Sequence, residues 1–192
     1  IYLDVDTILT GDISILFNEG INEYPLGAVP EDFYKNNGEF LKKNIYQKYR
    51  NPDDYFNAGV LLLNVQKFIE NDFSNGLVNL TLEYADKLNC ADQDIFNIIF
   101  EAKYKKLDYK YNYIPDFYMN YGNITPLIIH YAGKKPWKVL DAPMSKEFFN
   151  IANKTAFALK IRYILIKNVL IQNTKQLKSF LYKNIKLPLA KL

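Results

Sequence analysis

Apolar residues fall in short runs between polar turns, and the spacing inside the runs changes along the chain. Residues 1–9, Ile-Tyr-Leu-Asp-Val-Asp-Thr-Ile-Leu, form an apolar run that carries two carboxylates one residue apart. As a strand, this run alternates its side chains and puts Asp4 and Asp6 on the same side. Asp12 is placed to cap a short helix over 13–18. Residues 26–29 predict a short strand, closed by Pro30-Glu31-Asp32. Residues 33–50 are polar and aromatic and predict a helix broken around Gly38, and Asn51-Pro52-Asp53-Asp54 predicts a turn. Residues 59–63 have no polar interruption, as in a strand covered on both faces of a sheet. A helical turn over 65–70 follows. Over 73–88 the residues Phe73, Leu77, Leu80 and Tyr84 share one helical face. Ala91 or Asp92 opens a further helix over 93–101, with Ile95, Phe96, Ile99 and Phe100 inward. A strand over 104–109, a tyrosine-rich loop over 112–123 and an apolar strand over 127–131 ending at His130 come next. Gly133-Lys134-Lys135-Pro136-Trp137 reads as a turn. Ser145 is placed to cap a helix to residue 150, and helical spacing returns over 155–187. Strands and helices alternate, so the expected class is α/β with a mostly parallel or mixed sheet.

Composition narrows this only in part. The chain has 192 residues, 49% of them apolar and 16% aromatic, which describes a globular domain and excludes a disordered one. Net charge is +3, but it is unevenly spread. After Glu147 there is no Asp or Glu, while Lys154, Lys160, Arg162, Lys167, Lys175, Lys178, Lys183, Lys186 and Lys191 follow. The expected division is therefore a domain over 1–150 and a basic helical tail over 151–192. Cys90 is the only cysteine, so no internal disulfide can form and a reducing compartment is expected. The first residues carry acid and no base, unlike a signal peptide. No apolar run reaches the ~20 residues that span a bilayer. The chain starts without Met inside an expected central strand, so a missing upstream segment is expected.

Two carboxylates at a strand end concentrate negative charge, which is costly without a cation, and hard cations prefer oxygen ligands. A divalent ion held by Asp4 and Asp6 can bridge to a phosphate, at the edge where open α/β sheets place ligands. Alone, an Asp-x-Asp pair is more often a solvated turn. His130, the only histidine, stands at the end of an apolar strand. Neutral imidazole would complete a two-carboxylate, one-histidine site suited to Mn²⁺; without the acid pair it reads as a hydrogen-bonded core residue. Lys134 and Lys135 after Gly133 could lie on a phosphate or form a solvated turn. Asn57 stands at the entry of a buried strand, where its amide can bond a sugar hydroxyl or cap the turn. Gly59 leaves room for a ligand or a second backbone. Asp92 and Asp94 suit a helix start without any function, and Gln93 lies between them.

Four stretches occur in order: Leu3-Asp4-Val5-Asp6, Phe56-Asn57-Ala58-Gly59-Val60-Leu61-Leu62-Leu63-Asn64, Asp92-Gln93-Asp94-Ile95-Phe96-Asn97 and His130-Tyr131-Ala132-Gly133-Lys134-Lys135-Pro136-Trp137. Together they resemble family 8 of the retaining glycosyltransferases, the lipopolysaccharide galactosyl- and glucosyltransferases, over residues 1 to about 140. The resemblance implies a GT-A-like fold. It implies Asp4, Asp6 and His130 as ligands of Mn²⁺ (or Mg²⁺), and Gly133 and Lys135 in a loop over the donor phosphates. That loop is one residue shorter than in many relatives. Asn57, Asp92 and Gln93 match positions around the donor sugar, with Gln93 near the anomeric carbon. An acid contacting sugar hydroxyls is implied after the 26–29 strand, as Glu31 or Asp32. The implied partners are UDP-galactose or UDP-glucose and a saccharide or lipid-linked saccharide acceptor, in lipopolysaccharide or cell-surface glycan synthesis. Relatives carry a nucleotide-binding half before the acid pair, so the resemblance implies the C-terminal two-thirds of an enzyme. By itself the chain is then expected to be inactive and to bind UDP weakly or not at all.

Retention commonly uses a carboxylate nucleophile, whereas the implied position holds Gln93. Front-side attack through an oxocarbenium-like state is therefore expected, with an Asp94-assisted covalent route as the lesser alternative. The tail places Phe157, Ile161, Ile164, Leu165 and Val169 at helical spacing among basic residues, which suits an anionic membrane surface. A cytoplasmic enzyme, peripheral on the inner membrane face, is expected. Two other readings compete. A haloacid dehalogenase-like phosphatase also opens with Asp-x-Asp after a strand, but it leaves residues 57–64 and 130–137 unexplained. A non-enzymatic basic module for membrane or nucleic acid fits the tail's charge, but no nucleic-acid motif is present, and nucleic acid is not expected as a partner.

Overall fold

The structure, a computed structural model, describes residues 1–31, 54–118 and 121–185. Asp32, the helix expected over 33–50 and most of the 51–54 turn lie outside the described residues. The chain divides into two compact units, Ile1–His130 and Tyr131–Leu192.

In the first unit a four-stranded mixed sheet has the order β1 (Tyr2–Leu3), β4 (Phe56–Leu63), β3 (Leu26–Pro30), β5 (Lys105–Lys106). Strand β4 runs antiparallel to both its neighbours, and β3 pairs with β5 in parallel. A second sheet pairs β2 (Thr7–Leu9) with β6 (Ile128–His130), antiparallel, matching Thr7 to His130. The opening run is therefore not one strand. It is two short strands in different sheets, joined by a turn in which Thr7 donates to the Asp4 carbonyl through both its backbone N–H (3.2 Å) and its hydroxyl (2.8 Å). Val5, apolar but fully exposed at the turn, marks where strand alternation fails. Among the described residues β1 pairs with β4.

Strand β4 is buried almost throughout, as its unbroken apolar run predicts, although its neighbours are antiparallel. Its register against β3 shifts between Ala28, opposite Leu61, and Val29, opposite Asn57. Residues 58, 59 and 60 fall in the gap. The shift also changes which face a side chain takes. Phe56, Ala58 and Leu61 all enter one core with Leu26, Phe100 and Tyr104, although positions 58 and 61 face opposite ways in a regular strand. Val60 and Leu62 enter the other core with Leu16, Val29, Leu107 and Ile128.

Helices α2 (Val65–Glu70), α3 (Phe73–Tyr84) and α4 (Asp92–Phe100) follow the expected spacing. The Asn64 side chain caps α2 by accepting from Lys67 N–H at 3.2 Å. Phe73 and Leu77 of α3 and Phe96 and Ile99 of α4 pack on the sheet, while Ile95 meets Tyr55 and Tyr84. The strand expected over 104–109 is shorter, because Tyr109–Tyr111 closes into a 3₁₀ turn. Within the tyrosine-rich loop Pro115–Tyr118 forms a single helical turn. The short helix α1 spans Ser14–Phe17, with Asp12 accepting from Ser14 N–H at 2.9 Å.

In the second unit, the helices Ser145–Ala152 and Ala158–Ile185 accompany a cluster of Tyr131, Trp137 and Phe148. Ser145 does not cap its helix; Met144, at φ 53°, occupies the cap position and makes no side-chain cap bond. The long helix is apolar on two sides. Of the stripe expected to face a membrane, Phe157, just before the helix, is exposed and Ile161, Ile164, Leu165 and Val169 are half-buried, whereas Leu159, Tyr163, Ile166 and Leu170 form an exposed stripe. No helix among the described residues is long and apolar enough to cross a membrane.

One polar tie links distant parts of the first unit. Glu19 accepts from Lys105 Nζ and from the Tyr111 hydroxyl, both at 2.8 Å. These bonds, the lysine's first, hold the Glu19 carboxyl below its usual range, and burial, then the bond to Glu19, pushes Tyr111 up to about 12. A depressed carboxyl contributes stability above its unfolded pKa and loses it as pH falls through the folded value. Glu19→Gln should thus lower stability by less than about 1 kcal/mol at neutral pH, the group being partly solvated. Denaturant midpoints should converge for the two proteins in acid; a gap independent of pH would show that the charge contributes nothing.

Candidate functional site

The turn between β1 and β2 and the end of β6 meet over β4. Asp4 is fixed by its N–H, which donates to the Gly59 carbonyl at 2.8 Å. Pairing of Thr7 with His130 brings the histidine beside the turn. His130 Nε2 lies 3.3 Å from Asp6 Oδ1 and 3.6 Å from Asp4 Oδ2. One ligand atom from each residue fits in a cluster no wider than 4.8 Å. The three residues expected to hold a metal thus converge, by a turn and a strand pairing and not by alternation along one strand. Tyr2 donates to Asp4 Oδ1 at 2.8 Å. That bond, then burial and the nearby carboxylates, raise the tyrosine to about 12.

Gly59 makes the convergence possible. A Cβ there would lie 2.2 Å from His130 Cε1 and 2.9 Å from Asp4 Oδ2. The close approach expected at this glycine is real, but what approaches is the imidazole ring.

A second group adjoins the first. Asn57 Nδ2 donates to Glu31 Oε2 at 3.1 Å and to Gln93 Oε1 at 3.0 Å. Gln93 Nε2 donates to Glu31 Oε2 (3.1 Å) and to the Tyr55 hydroxyl (3.0 Å). Gln93 Oε1 also accepts from Ala58 N–H at 3.1 Å. Of the acids expected after the 26–29 strand, Glu31 is buried in this group, and Asp32 lies outside the described residues. The register shift in β4 explains the amide contacts. Ala58 and Gly59, both in the gap, have N–H groups that side-chain oxygens accept, Gln93 Oε1 and Asn57 Oδ1 respectively.

Asp92 and Asp94 separate. Asp92 is exposed, its carboxylate accepting from Gln93 N–H at 3.1 Å. Asp94 is fully buried and accepts from the Tyr55 hydroxyl and from Asn89 and Cys90 N–H at 2.7–2.8 Å. Its geometry is that of a strut holding the turn before α4. Ala91, in that turn, has φ 47°, a strained value for a residue with a Cβ. Asn97, buried, clamps both the N–H and the carbonyl of Phe56 at 2.8 Å. Gly133 and Lys135 belong to the second unit. There Lys135 Nζ donates to the Tyr131 carbonyl at 2.8 Å and lies 5.7 Å from the Trp137 ring centre; Lys134 pairs with Asp141.

Sequence reasoning missed Asn112. It is fully buried, and its amide joins the two groups, donating to Asn57 Oδ1 at 2.8 Å and facing His130 Nδ1 at 2.9 Å. Its one signal was a polar residue between two tyrosines, immediately before the short apolar stretch Tyr113-Ile114-Pro115. Tyr55 was likewise missed as the hydroxyl between Gln93 and Asp94.

The donor set suits a hard or borderline divalent cation. Two carboxylates and an imidazole nitrogen crowd one small volume, an arrangement that repels itself without positive charge.

Comparison with known proteins identifies the family. The model of glycosyl transferase family 8 matches residues 1–141. Glycosyltransferase GlyA of Streptococcus pneumoniae is 36% identical over 154 residues, covering 77% of this chain and 20% of that protein. A lipopolysaccharide 1,2-glucosyltransferase of Escherichia coli is 26% identical over 167 residues, covering 79% and 48%. The chain thus spans less than half the length of these two relatives. Among solved structures, galactosyltransferase LgtC in complex with donor and acceptor sugar analogs superposes with a TM-score of 0.67 at 24% identity, over 81% of this chain and 60% of that one. Glycosyltransferase GlyE of Streptococcus pneumoniae superposes at 0.60 with 26% identity, over 84% and 41%. The mixed sheet is therefore that of a GT-A-like glycosyltransferase, the dehalogenase-like reading falls away, and the chain belongs to glycosyl transferase family 8.

Proposed function

We propose that this chain carries the metal- and sugar-handling part of a retaining hexosyltransferase. The donor is a UDP-hexose, UDP-galactose or UDP-glucose, and the acceptor is a saccharide or lipid-linked saccharide of a cell-surface glycan such as lipopolysaccharide. The observation that carries this is the convergence of Asp4, Asp6 and His130 within 4.8 Å. Mn²⁺, with Mg²⁺ as substitute, fits two carboxylates and one imidazole with further positions open to phosphate oxygens. A cation bound there supplies positive charge where a diphosphate leaving group develops negative charge.

The chain's own residues do the rest. Asn57, Glu31 and Gln93 form a rigid polar floor suited to sugar hydroxyls, and Asp92 lies exposed at the start of α4 beside them in sequence. Gln93 Oε1 already accepts two N–H groups and Gln93 Nε2 donates twice. An amide so engaged has no free lone pair for an anomeric carbon. This supports front-side attack by the acceptor hydroxyl, its proton passing to the departing phosphate oxygen, over a covalent intermediate on Gln93. Asp94, turned to its three donors, is a poor alternative nucleophile. Gly133 and Lys135 are assigned to the diphosphate by family resemblance.

The exposed stripe Leu159, Tyr163, Ile166 and Leu170 is flanked by Lys160, Arg162 and Lys167, all exposed. We assign this face to the anionic inner surface of a cytoplasmic membrane, where each basic residue adds about 1 kcal/mol.

Three measurements test these assignments. In the full-length protein, Asp6→Ala should abolish transfer from UDP-hexose with Mn²⁺ present; near-normal turnover would end the metal proposal. Gly59→Ala should weaken Mn²⁺ binding at least tenfold, read by calorimetry, because the new methyl displaces the His130 ring; unchanged affinity would show that the ring is not a ligand. The protein should float with anionic vesicles at low salt, less at high salt, and not with neutral vesicles. Equal flotation after removal of residues 158–192 would refute the tail's role.

A further inference from the structure

The amide chain behind His130 has only one self-consistent arrangement of donors and acceptors, and it is set by the backbone. A peptide N–H can only donate. Gly59 N–H points at Asn57 at 2.9 Å, so the Asn57 atom it meets is the carbonyl oxygen, Oδ1. The other end of the same amide faces the Glu31 carboxylate, which agrees. Gln93 is oriented the same way, by Ala58 N–H on its oxygen and Glu31 on its nitrogen. With Asn57 Oδ1 fixed as an acceptor, the Asn112 group facing it must be the NH₂. The Asn112 oxygen then faces His130 Nδ1 at 2.9 Å, and that nitrogen must carry the proton. The neutral ring is left with a bare lone pair on Nε2, the atom beside Asp4 and Asp6.

The geometry points to Asn112 as a positioning residue: it selects the Nδ1–H tautomer of His130 and presents Nε2 as a ready ligand. Without it the neutral ring would do better to protonate Nε2 and donate to Asp6 or Asp4, which blocks that nitrogen from a cation. The arrangement is thus held against the pull of the two carboxylates at the other ring nitrogen. All four participants, Gly59 N–H, Asn57, Asn112 and His130, are buried, so water cannot substitute for a missing partner. The role goes beyond the proposed transfer reaction and rests on the cation-site reading only for its consequence in metal affinity.

Isotope labelling of histidine nitrogen lets the His130 imidazole be observed by NMR, its signal assigned by its loss in His130→Gln. In metal-free wild-type protein at mildly alkaline pH, Nδ1 should be protonated and Nε2 bare. Asn112→Leu should shift the ring toward the Nε2–H form and weaken binding of Mn²⁺ alone by about 10–100-fold. Asn112→Asp gives up the donor to Asn57 Oδ1 but keeps an acceptor opposite Nδ1, and should keep Nδ1 protonated. An Nε2–H ring in the wild type overturns the inference, as does an unchanged tautomer in a folded Asn112→Leu protein. If that variant does not fold, the wild-type and Asn112→Asp spectra decide. A wild-type ring of the expected tautomer in a protein that binds no Mn²⁺ would sink the cation site and leave Asn112's hold on the ring intact.

Discussion

Groups that only accept hydrogen bonds do not gather in a small space unaided. Asp4, Asp6 and the outer nitrogen of His130 do so here, within 4.8 Å. The first unit supplies the restraint at three points. The Gly59 carbonyl holds Asp4 from below, strand pairing carries His130 alongside, and the missing side chain of Gly59 leaves space for both. Remove any one and electrostatic repulsion would spread the cluster. The position of β4 under this turn is what the remaining architecture secures, with one core on each of its faces.

The irregularity in β4 connects the two polar groups. A regular ladder would have committed the backbone donors at positions 58 and 59 to strand pairing. With the register shifted, side-chain amides accept them instead, and those contacts orient Asn57 and Gln93. Asn57 then faces Glu31 and Gln93 on one side and Asn112 on the other. The residues proposed for the cation and those proposed for the sugar therefore share one rigid frame, built from amides whose direction a backbone dictates.

Much of this was legible in the order of residues. Period-3.6 spacing located the helices through Phe73, Leu77 and Ile95, and the unbroken apolar run located β4. The acid pair and the lone histidine were each weak signals alone and stood out through four stretches in order that resemble family 8; the structure brings the three side chains together. What escaped was whatever depends on pairing between distant segments. Nothing local says that the run from Ile1 to Leu9 folds into two strands of different sheets; tertiary pairing with β4 and β6 overrides its alternation. Asn112 and Tyr55 looked like loop polarity because their partners lie 18 and 39 positions away. The half-buried side of the long helix was taken for its free side, since periodicity finds apolar faces without saying which one is covered.

The skipped residues of β4 also bear on how such a chain can vary. Most loops tolerate a gained or lost residue, because only their ends are constrained. Between Asn57 and Leu61 the count itself carries information: one residue more or fewer would reverse the facing of everything beyond it, exchanging Val60 and Leu62 with Leu61 between the two cores and carrying Gly59 out from under the imidazole. Substitution can be graded there, but length cannot, so this short stretch is a fixed-gauge part around which longer insertions elsewhere have to be accommodated.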